Sequence, residues 1–504
     1  MNHKLQIEKL PTGIAGFDKI ANGGLPKGRT TLVAGTSGSA KTVFASQFLV
    51  EGILGKDNEG GVLVTFEESP ADIRRNMMSL GWAIDEWERD GKWLFVDASP
   101  QADHNIDEVG DFDFSALLAR IEYAVRKIDA KRISLDSLGA VFSHFANSST
   151  VRRELFRVGT AVKQFGVTAL MTAERTSEYG DIARYNVEEF VADNVIILRN
   201  VLDDTKRRRT MEILKFRGTS HQKGEFPFSV IPGEGIVVIA LSALELEQRS
   251  STVRITSGNV DMDEMCGGGL FRDSIVLVSG ATGTGKTLMT TGFLAGGARN
   301  GERCLLFAFE ESREQLMRNA TGWGVDYEQM EKDGNFKIVC AYPETGSLED
   351  HYISIKSEID SFKPNRLAVD SLSALERVST RNSFREFLIG LTSYIKHQEI
   401  AGLFTATAQS LTGGTSVTEE HISTLTDSIV LLRYVEMGGE IRRGLTVLKM
   451  RGSMHDKNIR EYSIVDGKGM QIGQPFRHVA GILTGNLRYV APDELDRMSG
   501  LFKD

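Results

Sequence analysis

IVLVSGATGTGKT, residues Ile275 to Thr287, runs from an unbroken apolar stretch into a glycine-rich loop that closes on lysine and threonine. The opening residues, Ile275–Ser279, read as a buried strand. The remaining eight are Gly280, Ala281, Thr282, Gly283, Thr284, Gly285, Lys286 and Thr287, which fit the P-loop pattern GxxxxGK[ST] in full. Glycine lets successive backbone N–H groups converge on phosphate oxygens, and the helix that follows adds its positive N-terminal end. In this pattern Lys286 reaches the β and γ phosphates and the Thr287 hydroxyl ligates Mg²⁺. The stretch therefore predicts strand, loop and helix in that order, with ATP and Mg²⁺ as ligands.

The same stretch occurs twice. GFDKIANGGLPKGRTTLVAGTSGSAKT (Gly16–Thr42) returns as NVDMDEMCGGGLFRDSIVLVSGATGTGKT (Asn259–Thr287). VTFEES (Val64–Ser69) returns as FAFEES (Phe307–Ser312), and RISLDSL (Arg132–Leu138) as RLAVDSL (Arg366–Leu372). DNVIILR (Asp193–Arg199) returns as DSIVLLR (Asp427–Arg433), and LKFRGTSH (Leu214–His221) as LKMRGSMH (Leu448–His455). Repeated blocks in one order, about 240 residues apart, mark the duplication of a whole domain. The expected organisation is a first domain over 1–240, a polar join over 241–253, a second domain over 254–484 and a tail over 485–504. Thr31–Ala34 and Ile275–Ser279 read as strands, while Phe384, Phe387, Leu388 and Leu391 have the spacing of an amphipathic helix. Strands alternating with helices give an α/β fold, each half a mostly parallel twisted sheet flanked by helices.

Repetition also lifts four weaker signals. The first loop is Gly35, Thr36, Ser37, Gly38, Ser39, Ala40, Lys41 and Thr42, with alanine where the pattern has glycine. If that position takes φ > 0, a Cβ there costs about 1 kcal/mol. Asp136 and Asp370 each end an apolar run, as a Walker B aspartate holding Mg²⁺ does, together with Thr42 and Thr287. Glu67–Glu68 and Glu310–Glu311 follow strands, where paired carboxylates orient or deprotonate a nucleophile beside the γ-phosphate. Lys215/Arg217 and Lys449/Arg451, two apart, read as neighbours on one face of a strand, able to clamp phosphates of an adjacent subunit.

Composition bounds the partners. The chain has 504 residues, net charge −9, 51 Gly and 10 Pro, which argues against a coat for nucleic acid and against disorder. Cys266, Cys304 and Cys340 are scattered, which fits buried thiols in a reducing compartment rather than disulfides or a zinc site. No stretch has the length of an apolar membrane span, and the N-terminus lacks a signal-peptide core, so a soluble cytoplasmic protein is expected.

Taken together, these blocks resemble the RecA/DnaB-type ATPases, and specifically the KaiC family of the cyanobacterial circadian clock. DEMCGGG (Asp263–Gly269), CAYPE (Cys340–Glu344), FRGTSH (Phe216–His221) and RGSMHDK (Arg451–Lys457) carry the likeness, which extends over nearly the whole chain. The resemblance implies tandem RecA-like domains forming a double-ring homohexamer with ATP at subunit interfaces. It implies that Glu67 activates water in the first ring and that Glu310 is the base for autophosphorylation in the second. By the same resemblance Ser79, Trp323, Thr219, His221, Met450, Ser453 and His455 lie near nucleotide. HISTLTDS (His421–Ser428) then places the phosphorylated pair at Ser423 and Thr424, with Thr418 a nearby hydroxyl. Aligning Asp427 with Asp193 sets Glu189 and Phe190 opposite that pair, so the first half lacks the acceptors. Autodephosphorylation and a KaiB-type partner for the first ring also follow from the resemblance. The short, divergent tail departs from the family where KaiA binds, as in a divergent paralogue. Two other classes use the same fold: a DNA-dependent ring ATPase, whose basic channel loops the acidic EEHISTLTDS segment does not suit, and a nucleotide-gated scaffold.

Overall fold

The computed structural model of the chain describes residues 7–99, 114–137, 139, 148–182, 192–203, 206–239, 250–408, 422–477, 479–483 and 488–489. They divide into two units, 1–243 and 244–504. Most of the expected join, residues 241–249, and most of the expected tail lie outside the described residues. Ser251–Val253 belong to the second unit, since the Ser251 N–H donates to Asp273 and the Arg272 N–H to the Val253 carbonyl.

Each unit holds one nine-stranded mixed sheet. In the first, the strands are β1 (Thr30–Gly35), β2 (Gly61–Thr65), β3 (Trp93–Asp97), β4 (Arg132–Asp136), β5 (Thr168–Glu174), β6 (Asn194–Asp203), β7 (Lys206–Phe216), β8 (Glu225–Ile231) and β9 (Gly235–Val238). Their order is β3-β2-β4-β5-β1-β6-β7-β8-β9, parallel as far as β6 and antiparallel beyond. The second unit repeats it with β10 (Ile275–Gly280), β11 (Cys304–Ala308), β12 (Phe336–Cys340), β13 (Arg366–Asp370), β14 (Ala401–Thr407), β15 (Ser428–Met437), β16 (Glu440–Met450), β17 (Arg460–Val465) and β18 (Gly469–Pro475). There the order is β12-β11-β13-β14-β10-β15-β16-β17-β18. The expected α/β architecture is present in both halves.

The apolar runs are continuous because helices cover both faces of the parallel strands. In β1, Val33 points to a cluster with Phe17, Phe44 and Phe48, while Leu32 and Ala34 point to one with Leu117, Ile121 and Val158. The helices after the P-loops are α1 (Lys41–Leu54) and α2 (Lys286–Arg299). The predicted amphipathic helix spans Arg381–His397, capped by Thr380, with Phe384, Phe387, Leu388 and Leu391 buried. One expectation about the thiols needs correcting. Cys266 and Cys304 are buried and pushed up to about 12 by that burial, but Cys340 ends an edge strand and is exposed. Among the described residues, no helix is long and apolar enough to cross a membrane.

Candidate nucleotide sites

Both P-loops leave the carboxyl end of the central strand, where ligands bind in sheets of this kind. The residue before each helix is left-handed: Gly285 at φ 96° in the second unit, Ala40 at φ 69° in the first. The first loop thus carries the strained methyl group that the sequence warned of. Ala40→Gly should raise the stability of the first unit by up to about 1 kcal/mol, less the extra unfolded-state entropy of glycine. A higher Tm for that unit alone is the expected reading, and an unchanged or lower one would show that the loop tolerates the methyl group.

Inside the loops, Ser39 and Thr284 are fully buried and their hydroxyls donate to the Thr36 and Ala281 carbonyls, both at 2.7 Å. They brace the loop and leave its outward N–H groups to a ligand. The Thr36 hydroxyl turns to Glu178 at 2.7 Å, Ser37 and Gly38 are exposed, and the Thr282 carbonyl accepts from Tyr434 at 3.2 Å. Lys41 Nζ lies 3.0 Å from the Gly35 carbonyl and 2.9 Å from that of Thr36. Lys286 Nζ repeats this at 3.0 Å from Gly280 and 3.1 Å from Ala281. Burial holds both ammoniums below their usual range, against the opposing pull of nearby carboxylates.

The acids gather at the same strand ends. Asp136 and Asp370 close β4 and β13, and each accepts a hydroxyl from the neighbouring strand, Thr172 and Thr405. Each glutamate pair stands between a strand end and a helix N-cap, Ser69 or Ser312, so local capping fixes where the pair points. The two members of a pair are held differently. Glu310 accepts from Ser371 at 2.9 Å and pairs with Arg377 at 2.5 Å. Burial raises it, but those two hydrogen bonds and the Arg377 charge outweigh burial and leave it below the usual carboxylate range. Glu311 instead lies 3.4 Å from the Thr287 hydroxyl and is raised, first by burial and then by the Asp370 charge. Asp370 is raised mainly by burial, against hydrogen bonds from Thr405 and Thr287. In the first unit Ser137 donates to Glu67 at 3.3 Å, and burial raises Glu68 beside Asp136.

Among the described residues no three His, Cys, Asp or Glu side chains form a self-contained metal cage. Thr287 between Glu311 and Asp370, with both carboxylates raised by burial first and by the charge of neighbouring acids second, instead suits a divalent ion that brings its own phosphate ligands. Trp323 caps the helix Arg313–Gly322 and walls a cavity of about 730 Å³ with Leu288, Met289 and Gly292. At the position of Gly292 the first unit has Gln47, whose amide bonds the Gly13 and Glu234 carbonyls. Ser79 ends the equivalent helix, exposed, with its hydroxyl on the Asn76 carbonyl.

A second group of candidates lies away from these loops. Lys215 pairs with Val195 and Lys449 with Ile429, near the amino ends of β6 and β15. That is toward the end of the sheet opposite Gly35 and Gly280: Val195 and Ile429 pair with Leu32 and Leu277, three residues and roughly 10 Å back along the P-loop strands. A bulge at Leu214 and at Leu448 turns these lysines onto the Ala192 and Thr426 carbonyls. Arg217 and Arg451 are not on the strands as expected. They stand one residue past the ends of β7 and β16, where the chain turns at Gly218 and Gly452, both with positive φ. Thr219 and His221, Ser453 and His455 follow in the same turns, and Met450 is buried in the core. Thr424, exposed in the short helix Ile422–Leu425, is here too, its carbonyl accepting from Arg451 at 2.8 Å. The Ser423 side chain and all of Thr418 lie outside the described residues.

Sequence reading passed over several residues that hold the site. Ser137 and Ser371 sit inside the repeated RISLDSL and RLAVDSL blocks, so the signal was present; only the aspartate was read from them. Arg377 had no such signal, because the residue opposite it in the first half is Ser143.

This fold and these paired sites define a tandem P-loop ATPase. The family described as "ATPase: KaiC" matches residues 10–243 and 255–476. The chain is 67% identical over 498 residues, 99% of this chain and 98% of the relative, to "Circadian clock protein KaiC3" of Synechocystis sp.. It is 54% identical over 99% of this chain and 95% of the relative to "Circadian clock oscillator protein KaiC" of Thermostichus vulcanus. The chain belongs to the KaiC family.

Proposed function

We propose that this chain is a ring-forming ATPase and autokinase that phosphorylates itself on Ser423 and Thr424, serving as a timing or signalling component. The observation that carries the reading is the separation of the two groups of site residues. Lys449, Arg451 and the exposed Thr424 sit together at the end of the sheet opposite Lys286, so an acceptor and a phosphate clamp meet a P-loop only across two copies. A head-to-tail ring, such as a homohexamer, satisfies both ends of every copy.

In this arrangement the second-unit P-loop of one copy faces Thr424 of the next. Backbone N–H groups of Gly283–Lys286 and the Lys286 ammonium hold the β and γ phosphates. Thr287 and Asp370 would hold Mg²⁺, which neutralises phosphate charge when bound. Glu310 takes the Thr424 hydroxyl proton as the oxygen attacks, and Lys449 and Arg451 of the adjoining copy balance charge on the transferred group. In the first unit Glu67 performs the same service for water, with Thr42 and Asp136 at the metal. A KaiB-type protein is the proposed partner of the first ring.

Incubating the chain with Mg²⁺ and ATP labelled at the γ-phosphate, followed by peptide mass spectrometry, tests the reading. Label on Ser423 and Thr424 is expected. It should appear on Lys286→Met chains when, and only when, they are mixed with Thr424→Ala chains that retain Lys286. ATP turnover without label at either residue would remove the kinase, and Lys286→Met chains that stay unlabelled in the mixture would remove transfer across copies.

A further inference from the structure

In both units the clamp arginine is tied to an aspartate that also closes the foot of its own P-loop strand. Asp193 is almost buried. Its Oδ2 accepts the Thr30 N–H at 3.3 Å and receives Lys163 Nζ at 2.7 Å, while Oδ1 faces Arg217 at 3.6 Å. Asp427 repeats the set, with the Ile275 N–H at 2.9 Å, Lys396 Nζ at 2.9 Å and Arg451 at 3.8 Å. Lys163 and Lys396 occupy the same place, next to last in the helices Ser148–Gln164 and Arg381–His397. Burial raises the Asp193 carboxyl, but Lys163 and Thr30 outweigh it and keep it ionised.

Arg217 and Arg451 need such an anchor. Their side chains are 52% and 53% exposed, and each follows immediately on a strand end. A guanidinium on a long flexible stem gives up rotamer freedom to take one geometry. A carboxylate already fixed by a lysine and a backbone N–H removes part of that cost before any phosphate arrives. The lysine matters as well, because it keeps the carboxylate seated without drawing the arginine fully into an ion pair.

We infer that Asp193 and Asp427 are positioning residues, each aiming its chain's clamp arginine at a phosphate held by the adjoining copy, with Lys163 and Lys396 seating the aspartate. The inference rests on the proposal that the clamps act across copies. Since each aspartate also holds the first residue of its own P-loop strand, one carboxylate joins the site a copy serves to the site it owns.

The test is steady-state ATP hydrolysis by the full chain carrying Lys286→Met, so that turnover belongs to the first unit, with Asp193→Asn, Arg217→Ala and the two combined. Arg217→Ala should lower kcat about 10³-fold. Asp193→Asn should lower kcat roughly tenfold with KM within about twofold, and Asp193→Glu should recover part of the loss. The double variant should be no slower than Arg217→Ala, because the aspartate acts only through the arginine. Unchanged kcat in Asp193→Asn, or a double variant slower by the product of both effects, would overturn the inference. Unchanged kcat in Arg217→Ala would instead overturn the clamp itself. Should Asp193→Asn fail to fold, Asp427→Asn in the otherwise unaltered chain decides the matter through labelling of Thr424. A calorimetric melting transition of the second unit then reports that it is folded, and undiminished labelling counts against the inference.

Discussion

Glu310→Gln lowers the rate of label transfer to Ser423 and Thr424 by about 10²–10⁴-fold, the range a lost general base costs. Glutamine keeps the shape, and its amide still accepts from Ser371, so binding of ATP to the second P-loop should change little. What disappears is the proton acceptor. First-unit hydrolysis continues, because Glu67 and Asp136 belong to a separate unit. Measuring label and total ATP turnover on the same sample separates the two effects. Labelling at the unaltered rate would show that Glu310 does not take the proton.

The surroundings of Glu310 add a pH signature. The Arg377 bridge and the Ser371 hydrogen bond hold its carboxyl below the usual range. A base works only when deprotonated, so a lowered pKa moves the acid limb of the rate profile toward lower pH. It also makes the carboxylate a weaker base, because the most effective one has a pKa near the working pH. Arg377→Ala leaves burial as the dominant influence and moves the acid limb toward higher pH. That shift, read from labelling rates across pH, distinguishes a restraint on the base from a purely structural ion pair, which would leave the limb in place.

The parts of the molecule legible in its sequence are those written in local patterns. Ile275–Gly280 could be read as a strand because both faces of it are buried, and Arg381–His397 as a helix because one face is. The P-loops were legible because phosphate binding dictates glycine, lysine and threonine at fixed spacing. Even the strain at Ala40 was visible, since its partner in the repeat is Gly285. Contacts between distant segments left no such trace. Ser371 and Arg377 reach Glu310 across 61 and 67 residues of chain; the repeat marks Ser371 as a residue but not its partner, and nothing local marks Arg377. The placement of Arg451 beyond its strand was also hidden, since a bulge at Leu448 and the turn at Gly452 alter the simple period of two. Cys340 was misjudged because a strand at the sheet's edge looks, in sequence, like a strand at its centre.

Arg366 is a further case of information present but unread, and it carries the largest expected effect on stability. It opens β13, is wholly buried, and bonds Glu302 at 2.5 Å through Nε. Its Nη1 donates to the Thr256 carbonyl at 2.7 Å and the Phe293 carbonyl at 2.8 Å, with the guanidinium 4.8 Å from the Phe293 ring centre. Arg132 does the same in the first unit with Glu59, Pro11 and Phe48. Helix glycines make room for both: a Cβ on Gly297 would lie 2.5 Å from Arg366, and one on Gly52 2.8 Å from Arg132. Arg366→Met leaves the Glu302 carboxylate with only the half-exposed Arg272, 3.5 Å away, and takes a donor from two carbonyls, a loss of about 3–5 kcal/mol. In calorimetry the second unit should then melt well before the first, whose Arg132 is untouched. Adding Glu302→Leu removes the stranded charge and should restore most of the loss, since an apolar pair of similar volume often replaces a buried ion pair at little cost. A loss under about 1 kcal/mol in the single variant would mean that neighbouring packing alone holds these segments. The position explains why so much rests on one side chain. β13 ends four residues on at Asp370 and Phe293 lies in α2, so this buried cation fastens the strand that carries the acid to the helix that carries Lys286 and Thr287.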